Sequence, residues 1–173
     1  MPKSISLITD GMRSAVGSVM RKTVSYPVAI SDIRKWAIAV YYPKDPPRLF
    51  WDEEFAKTTI HGGVVAPEEF NPFAWITAEP SLAEPKVSQT AFSEEELGID
   101  PPYFKAILLA EINEQYGAVR IRPGDIITSV VRIKEYFERE GKMGHMLYTT
   151  LSNVWCNQAD EWVRTTESVF VRY

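Results

Sequence analysis

The chain has 173 residues, 45% of them apolar and 24% charged, with a formal net charge of −4. That length and composition fit one soluble domain with a sizeable core. The mild acidity excludes a dedicated nucleic-acid binder, which needs clustered Lys and Arg against phosphate, and the single cysteine, Cys156, excludes an internal disulfide or a cysteine-based zinc site.

No stretch approaches the ~20 consecutive apolar residues of a membrane-spanning helix, and the N-terminus lacks the continuous apolar run of a secretory signal. The expectation is a cytoplasmic protein that engages neither membrane nor nucleic acid. His61 and His145 are the only histidines, so no structural metal is expected.

Residues 1–18 show no clear period and read as a mobile or loosely docked lead-in to a single domain over 19–173. Val19 to Val28 alternates roughly and predicts a short strand. Ser31 is placed to cap a helix in which Ile33, Trp36, Ala37 and Val40 recur at helical spacing, with Asp32 in the first turn. Pro43, Pro46 and Pro47 then forbid regular structure. Residues 52–57 form a helical turn. His61-Gly62-Gly63 punctuates the chain, and Pro67 opens a helix carrying Phe70, Phe73, Ala74 and Trp75, with Glu68 and Glu69 in its first turn. Residues 77–102, rich in proline and acids, read as a long loop.

From Tyr103 the pattern changes to strands over 104–116, 126–138, 145–157 and 162–172. The breaks between them carry turn chemistry at Pro123-Gly124-Asp125, Glu140-Gly141-Lys142 and Gln158-Ala159-Asp160. Pattern alone therefore gives an α+β fold: a long antiparallel meander that must bury one face, with the helix after Ala66 as the obvious filler.

Two segments carry a family resemblance. Ile33 to Phe70 holds an amphipathic helix, a proline-rich overhang, Asp52-Glu53 three residues before Ala56, the pair Gly62-Gly63 and the helix start Ala66-Pro67. Arg122 to Tyr173 opens with Arg122-Pro123-Gly124-Asp125 and closes the sheet. In order and spacing these pieces resemble the MaoC-like (R)-specific enoyl-CoA hydratases and fatty-acid-synthase-type acyl dehydratases. The resemblance covers about 140 residues, and it implies a hot-dog fold, an antiparallel sheet wrapped around a central helix.

Active members of that superfamily carry Asp-x-Asn-Pro-x-His on the overhang. Hydration of an enoyl thioester needs one group to take a proton from water and one to deliver a proton to the α-carbon, and a carboxylate and an imidazole can share that water. A backbone N–H at a helix start supports the developing enolate oxygen. The matching residues here are Asp45-Pro46-Pro47-Arg48-Leu49-Phe50. Asp45 falls on the aspartate and Phe50 on the histidine, and a phenyl ring transfers no proton. No histidine lies between Ser31 and Ile60, so the catalytic set is not intact. Asp45 is a vestige or a turn residue.

The resemblance implies a non-catalytic subunit of a heteromeric enoyl-CoA hydratase. The chain would shape the acyl tunnel beside a catalytic hot-dog partner, for bulky acyl-CoA such as steroid side-chain or fatty acyl intermediates, with no metal or redox cofactor. The expected substrate-facing residues are Gly62, Gly63, Val64, Ala66, Phe70, Phe73 and Trp75. Trp36 and Trp51 fit either core packing or a tunnel wall, and Arg120, Arg122, Arg132 and Lys134 either CoA phosphate contacts or a solvated face. The alternatives are a homodimeric hydratase or hot-dog thioesterase acting alone, with His61 as substitute acid/base and Glu68 or Glu69 as carboxylate, and a module that binds an acyl thioester or a protein. His145 reads as structural.

Overall fold

The computed structural model describes residues 6–74 and 94–173. Their strands form one antiparallel sheet. In chain order these are β1 (Val19–Val24), β2 (Ile107–Tyr116), β3 (Thr128–Gly141), β4 (Gly144–Cys156) and β5 (Trp162–Arg172), arranged in space as β1-β3-β4-β5-β2. β3, β4 and β5 fall within a few residues of the expected strands, because period-two patterning must be satisfied wherever one sheet face is buried; β2 also falls within a few residues of its expected run.

The turns follow from side-chain chemistry. The β3–β4 hairpin closes at Gly141 opposite Gly144, whose φ of 96° favours glycine. In the β4–β5 turn, the Asn157 side-chain oxygen accepts from the N–H groups of Ala159 and Glu161, which holds Asp160 at a φ of 58°. At Gly117 a β-carbon would sit 2.4 Å from the Trp162 carbonyl oxygen, so β2 can end against β5 only with glycine there.

Register places Leu147, Thr149, Leu151, Asn153 and Trp155 of β4 on one face of the sheet, beside Tyr136 and Ile133 of β3 and Arg164 and Arg172 of β5. Two apolar clusters pack on this inner face. One lies at the Trp155 end, where α2 (Ile30–Tyr41) contributes Ile33 and Ala37 beside Phe50, Val65, Phe70, Ile127 and Val163. The other lies at the Leu147 end, with Ile133, Ile99, Met12 and Ala15.

Several expectations are corrected. The lead-in is not loosely docked over its described part. Residues 10–15 form α1 (Asp10–Ala15), capped by the Thr9 hydroxyl, and Met12 is completely buried. α2 begins at Ile30 with Ala29 as its uncapped N-cap, not with a Ser31 cap, and Val40 is exposed. No helix spans 67–73. Pro67 and Pro72 frame turns: Phe70 N–H reaches back to the Pro67 carbonyl and Phe73 N–H binds the Asn71 side chain. Pro72 has no N–H to give an intrahelical bond, and the Asn71 side chain competes with the helix for backbone donors. Among the described residues, α2 contributes Ile33 and Ala37 to the cluster at this end. Trp75 and most of the expected 77–102 loop lie outside the described residues. Glu94–Leu97 forms a short 3-10 turn. No helix among the described residues is long and apolar enough to cross a membrane.

At the Leu147 end lies a buried ion pair. Arg172 NH1 and NH2 donate to Glu94 Oε2 and Oε1 at 2.6 and 3.0 Å, NH2 also donates to Thr149 Oγ1 at 2.7 Å, and the Tyr136 hydroxyl donates to Glu94 Oε1 at 2.7 Å. Burial, reinforced by that bond to Glu94, pushes the Tyr136 phenol far above its usual range, so it stays a donor. Removing one member of such a pair leaves a naked buried charge. Glu94→Ala should therefore cost about 3–5 kcal/mol, while a well-packed apolar double replacement of Glu94 and Arg172 should recover most of it. Urea unfolding of the three proteins checks this.

A second anchor ties the N-terminal segment to β3. Glu138 accepts from the Leu7 N–H, from the Ile8 N–H at 3.0 Å and from the Ser6 hydroxyl at 3.1 Å, and His145 packs against it and against Glu140. Desolvation raises the Glu138 pKa, but these donors and His145 outweigh it, and the carboxyl lies below its ordinary value of 4.5. A depressed acid contributes stability above its unfolded pKa and loses it as pH falls through the folded value. Amide exchange at residues 7–9 should therefore accelerate as pH drops below about 4.5, after correction for intrinsic rates. Glu138→Gln should show less of that pH dependence.

Candidate functional site

The overhang after α2 is held by a compact set of polar bonds. Asp52 caps α3 (Glu53–Lys57), accepting from the Phe55 N–H at 3.0 Å. Arg48 grips the same carboxylate through Nε and NH2 at 2.9 and 2.6 Å and lies over the Phe55 ring at 4.6 Å. The Phe55 N–H and then Arg48 hold the Asp52 carboxyl below the usual carboxylate range. Trp51 Nε1 donates to the Pro46 carbonyl, and Arg34 on α2 donates to the Trp51 carbonyl and to Glu53. The prolines thus lead into a rigid 3-10 turn, Arg48–Phe50, seated on α2.

On this turn Phe50 points inward. It is buried in the core and packs against Tyr41 with ring centroids 5.9 Å apart. Asp45 is exposed and lines an open charged groove with Arg34, Ile38, Trp51, Asp52 and Glu53; no histidine lines it. The groove's described lining offers carboxylates and guanidinium groups but no imidazole.

Residues 64–73, which follow the glycine loop, form no helix. His61 is half-buried, and its N–H binds the Thr59 hydroxyl. Gly62 adopts a φ of 64° and gives its N–H to Thr59 O, while Ala66 N–H is taken by Ile121 O. Neither N–H is available to a thioester carbonyl. Val64 and Ala66 are buried in the core, and Phe73 meets Trp155 edge-on at 5.0 Å. Phe70 is buried against Trp36 and borders a cavity beside α2.

Three of the four basic candidates are occupied. Arg120 bonds Glu68 at 3.1 Å and the Ala66 carbonyl at 2.8 Å, Arg132 reaches Gly17 O, and Lys134 pairs with Glu167. Arg122 is exposed, with its guanidinium over Gly63. Glu69 is exposed, and His145 is bound to Glu140 at 2.6 Å.

Two features were not anticipated. β2 lies at the edge of the sheet, bonded on one side only, and Ile107 to Gln115 are exposed throughout, Leu109 at 51% and Ile112 at 53%. A readable signal exists in the crowding of Ile107, Leu108 and Leu109 without alternation. The cavity beside α2 is the other, and no short motif announces it.

A family model for the FAS1-like dehydratase domain region matches residues 14–166. No curated protein matches. Among solved structures, the ChsH1–ChsH2 complex of Mycobacterium tuberculosis is similar at a TM-score of 0.65, with 14% identity over 94% of this chain and 88% of that one. The (R)-hydratase of A. caviae involved in PHA biosynthesis gives 0.54, with 16% identity over 88% and 95%. The HadBC (3R)-hydroxyacyl-ACP dehydratase complex of M. tuberculosis gives 0.51, with 20% identity over 88% and 96%. The α+β architecture is thus a hot-dog fold, and the chain belongs to the FAS1-like dehydratase domain family.

Proposed function

We propose that this chain is the non-catalytic half of a heteromeric MaoC-like hydratase, working beside a catalytic hot-dog subunit on a trans-2-enoyl thioester. The observation that carries this reading is Phe50. The family resemblance puts the catalytic histidine there, and the phenyl ring is packed into the core behind an overhang whose groove holds no histidine. Addition of water across the double bond needs a base and an acid within reach of one water molecule. Asp45 alone supplies half of that pair, so the complete pair comes from the partner.

The sheet edge supports the same reading. A long exposed apolar edge strand is a liability in a monomer and is normally covered. β2 offers unpaired backbone groups with Leu108, Leu109 and Ile112 beside them, which fits extension of the sheet by a second hot-dog domain. The two similar complexes named above are heteromeric. A bulky acyl group is supported by the inner face: turns stand where a helix was expected at 67–73, and Leu151, Asn153, Thr166 and Ser168 stay only half-buried. Arg122, beside the glycine loop, is the cation best placed for a CoA phosphate. No metal or redox cofactor enters this chemistry.

Purified alone, the chain should not hydrate crotonyl-CoA or a longer enoyl-CoA above background. Phe50→His should remain inactive, because Pro47 and Arg48 also alter the overhang. Robust hydration by that variant, or wild-type activity lost on His61→Ala, would overturn the proposal. Replacing Leu109 and Ile112 together by Lys should leave the fold intact, since both side chains are exposed. Light scattering should then show the assembly with its partner lost; an unchanged complex would place the interface elsewhere.

A further inference from the structure

We propose that Glu111 decides which strand can pair with the free edge of β2: it rejects a second copy of this chain and takes a partner edge strand that presents lysine or arginine opposite it. The inference rests on the reading above, in which β2 receives the catalytic subunit, and it supplies the chemistry by which that subunit is chosen.

Three observations carry it. The first is where the charge stands. Glu111 and Glu114 are the only charged residues of Ile107–Tyr116, and Glu111 sits between the exposed apolar residues Leu109 and Ile112. A charge set within an apolar edge is a device that blocks edge-to-edge pairing. The second is compensation. Glu114 is already met by the Tyr116 hydroxyl at 2.6 Å, by Thr166 Oγ1 at 3.3 Å and by Arg164 at 3.7 Å. Among the described residues, Glu111 accepts from Asn113 Nδ2 at 2.8 Å and meets no cation. The third is register. Let β2 pair antiparallel with its own copy and leave no more than two of its ten residues unpaired. In every such register Glu111 falls opposite Glu111 or Glu114 of the other copy, or one position away. Lys105, which precedes the strand, lies outside the paired stretch. Like charges opposite one another destabilise a strand pair, and a cation at the same place stabilises it.

The probe is a charge-reversed copy of this chain, Glu111→Lys, which presents a basic edge. Sedimentation velocity of a fluorescently labelled wild-type chain reads pairing at low salt. The labelled chain should bind Glu111→Lys about five-fold more tightly than it binds unlabelled wild type, the scale of one cross-strand charge pair. The difference should vanish near 1 M salt, where the screening length falls to about 3 Å. Leu109→Ser with Ile112→Ser in the labelled chain should remove the mixed association, which puts it at β2; both side chains are exposed, so the fold is kept. Equal affinity of the wild type for itself and for Glu111→Lys, including none for either, would overturn the inference, as would mixed association untouched by the serine pair. The reading on which it rests fails on a different result, hydration of an enoyl-CoA by the wild-type chain alone.

Discussion

The described fold turns on the buried ion pair between Glu94 and Arg172. Each charge has left water at a cost of several kcal/mol, and the pair is held by two Arg172 nitrogens on Glu94, a third bond to Thr149, and the Tyr136 phenol on Glu94. That demand for matching gives the pair positional authority. Glu94 must return to the sheet at the end of β5, opposite Leu147 of β4 and Ile107 of β2, or both charges are stranded. Phe104, beneath the guanidinium at 5.2 Å, ties the approach to β2 to the same point.

From that fixed end the inner face runs toward Trp155, where a different physics governs. There the first half of the chain closes over the sheet by apolar packing, with α2, Phe50 and Val64–Ala66 in one cluster. Phe50 packs against Tyr41 in that cluster, and Arg48, bound to Asp52, anchors the overhang above it. Under the proposal, the segment serves as a support. The consequence under the proposal is a division of labour in which one half supplies acid and base and the other supplies shape.

Much of this was legible in the sequence. β3, β4 and β5 were readable because long alternating runs must bury one face, and their turns because glycine and Asx side chains announce them. The assignment of Phe50 to the histidine position came from the family resemblance, and the proposed function rests on it. The turns at 67–73 were not readable, since the outcome there depended on Pro72 and on the Asn71 side chain competing for backbone donors. The Met12 docking was hidden because one buried methionine in a short helix leaves no periodic trace. The Glu94–Arg172 pair was invisible for a plainer reason: 78 residues separate its members, and only folding brings them together.

The central claim is that chemistry in this system belongs to a partner. Its most direct test is hydration of a short and a bulky trans-2-enoyl-CoA by this chain co-expressed with a hot-dog protein bearing an intact Asp-x-Asn-Pro-x-His overhang. The account predicts turnover of the bulky substrate only by the assembled pair, abolished when the partner's overhang histidine is replaced and retained when Asp45→Asn is introduced here. Turnover that survives loss of the partner's histidine but disappears with Asp45→Asn would contradict it.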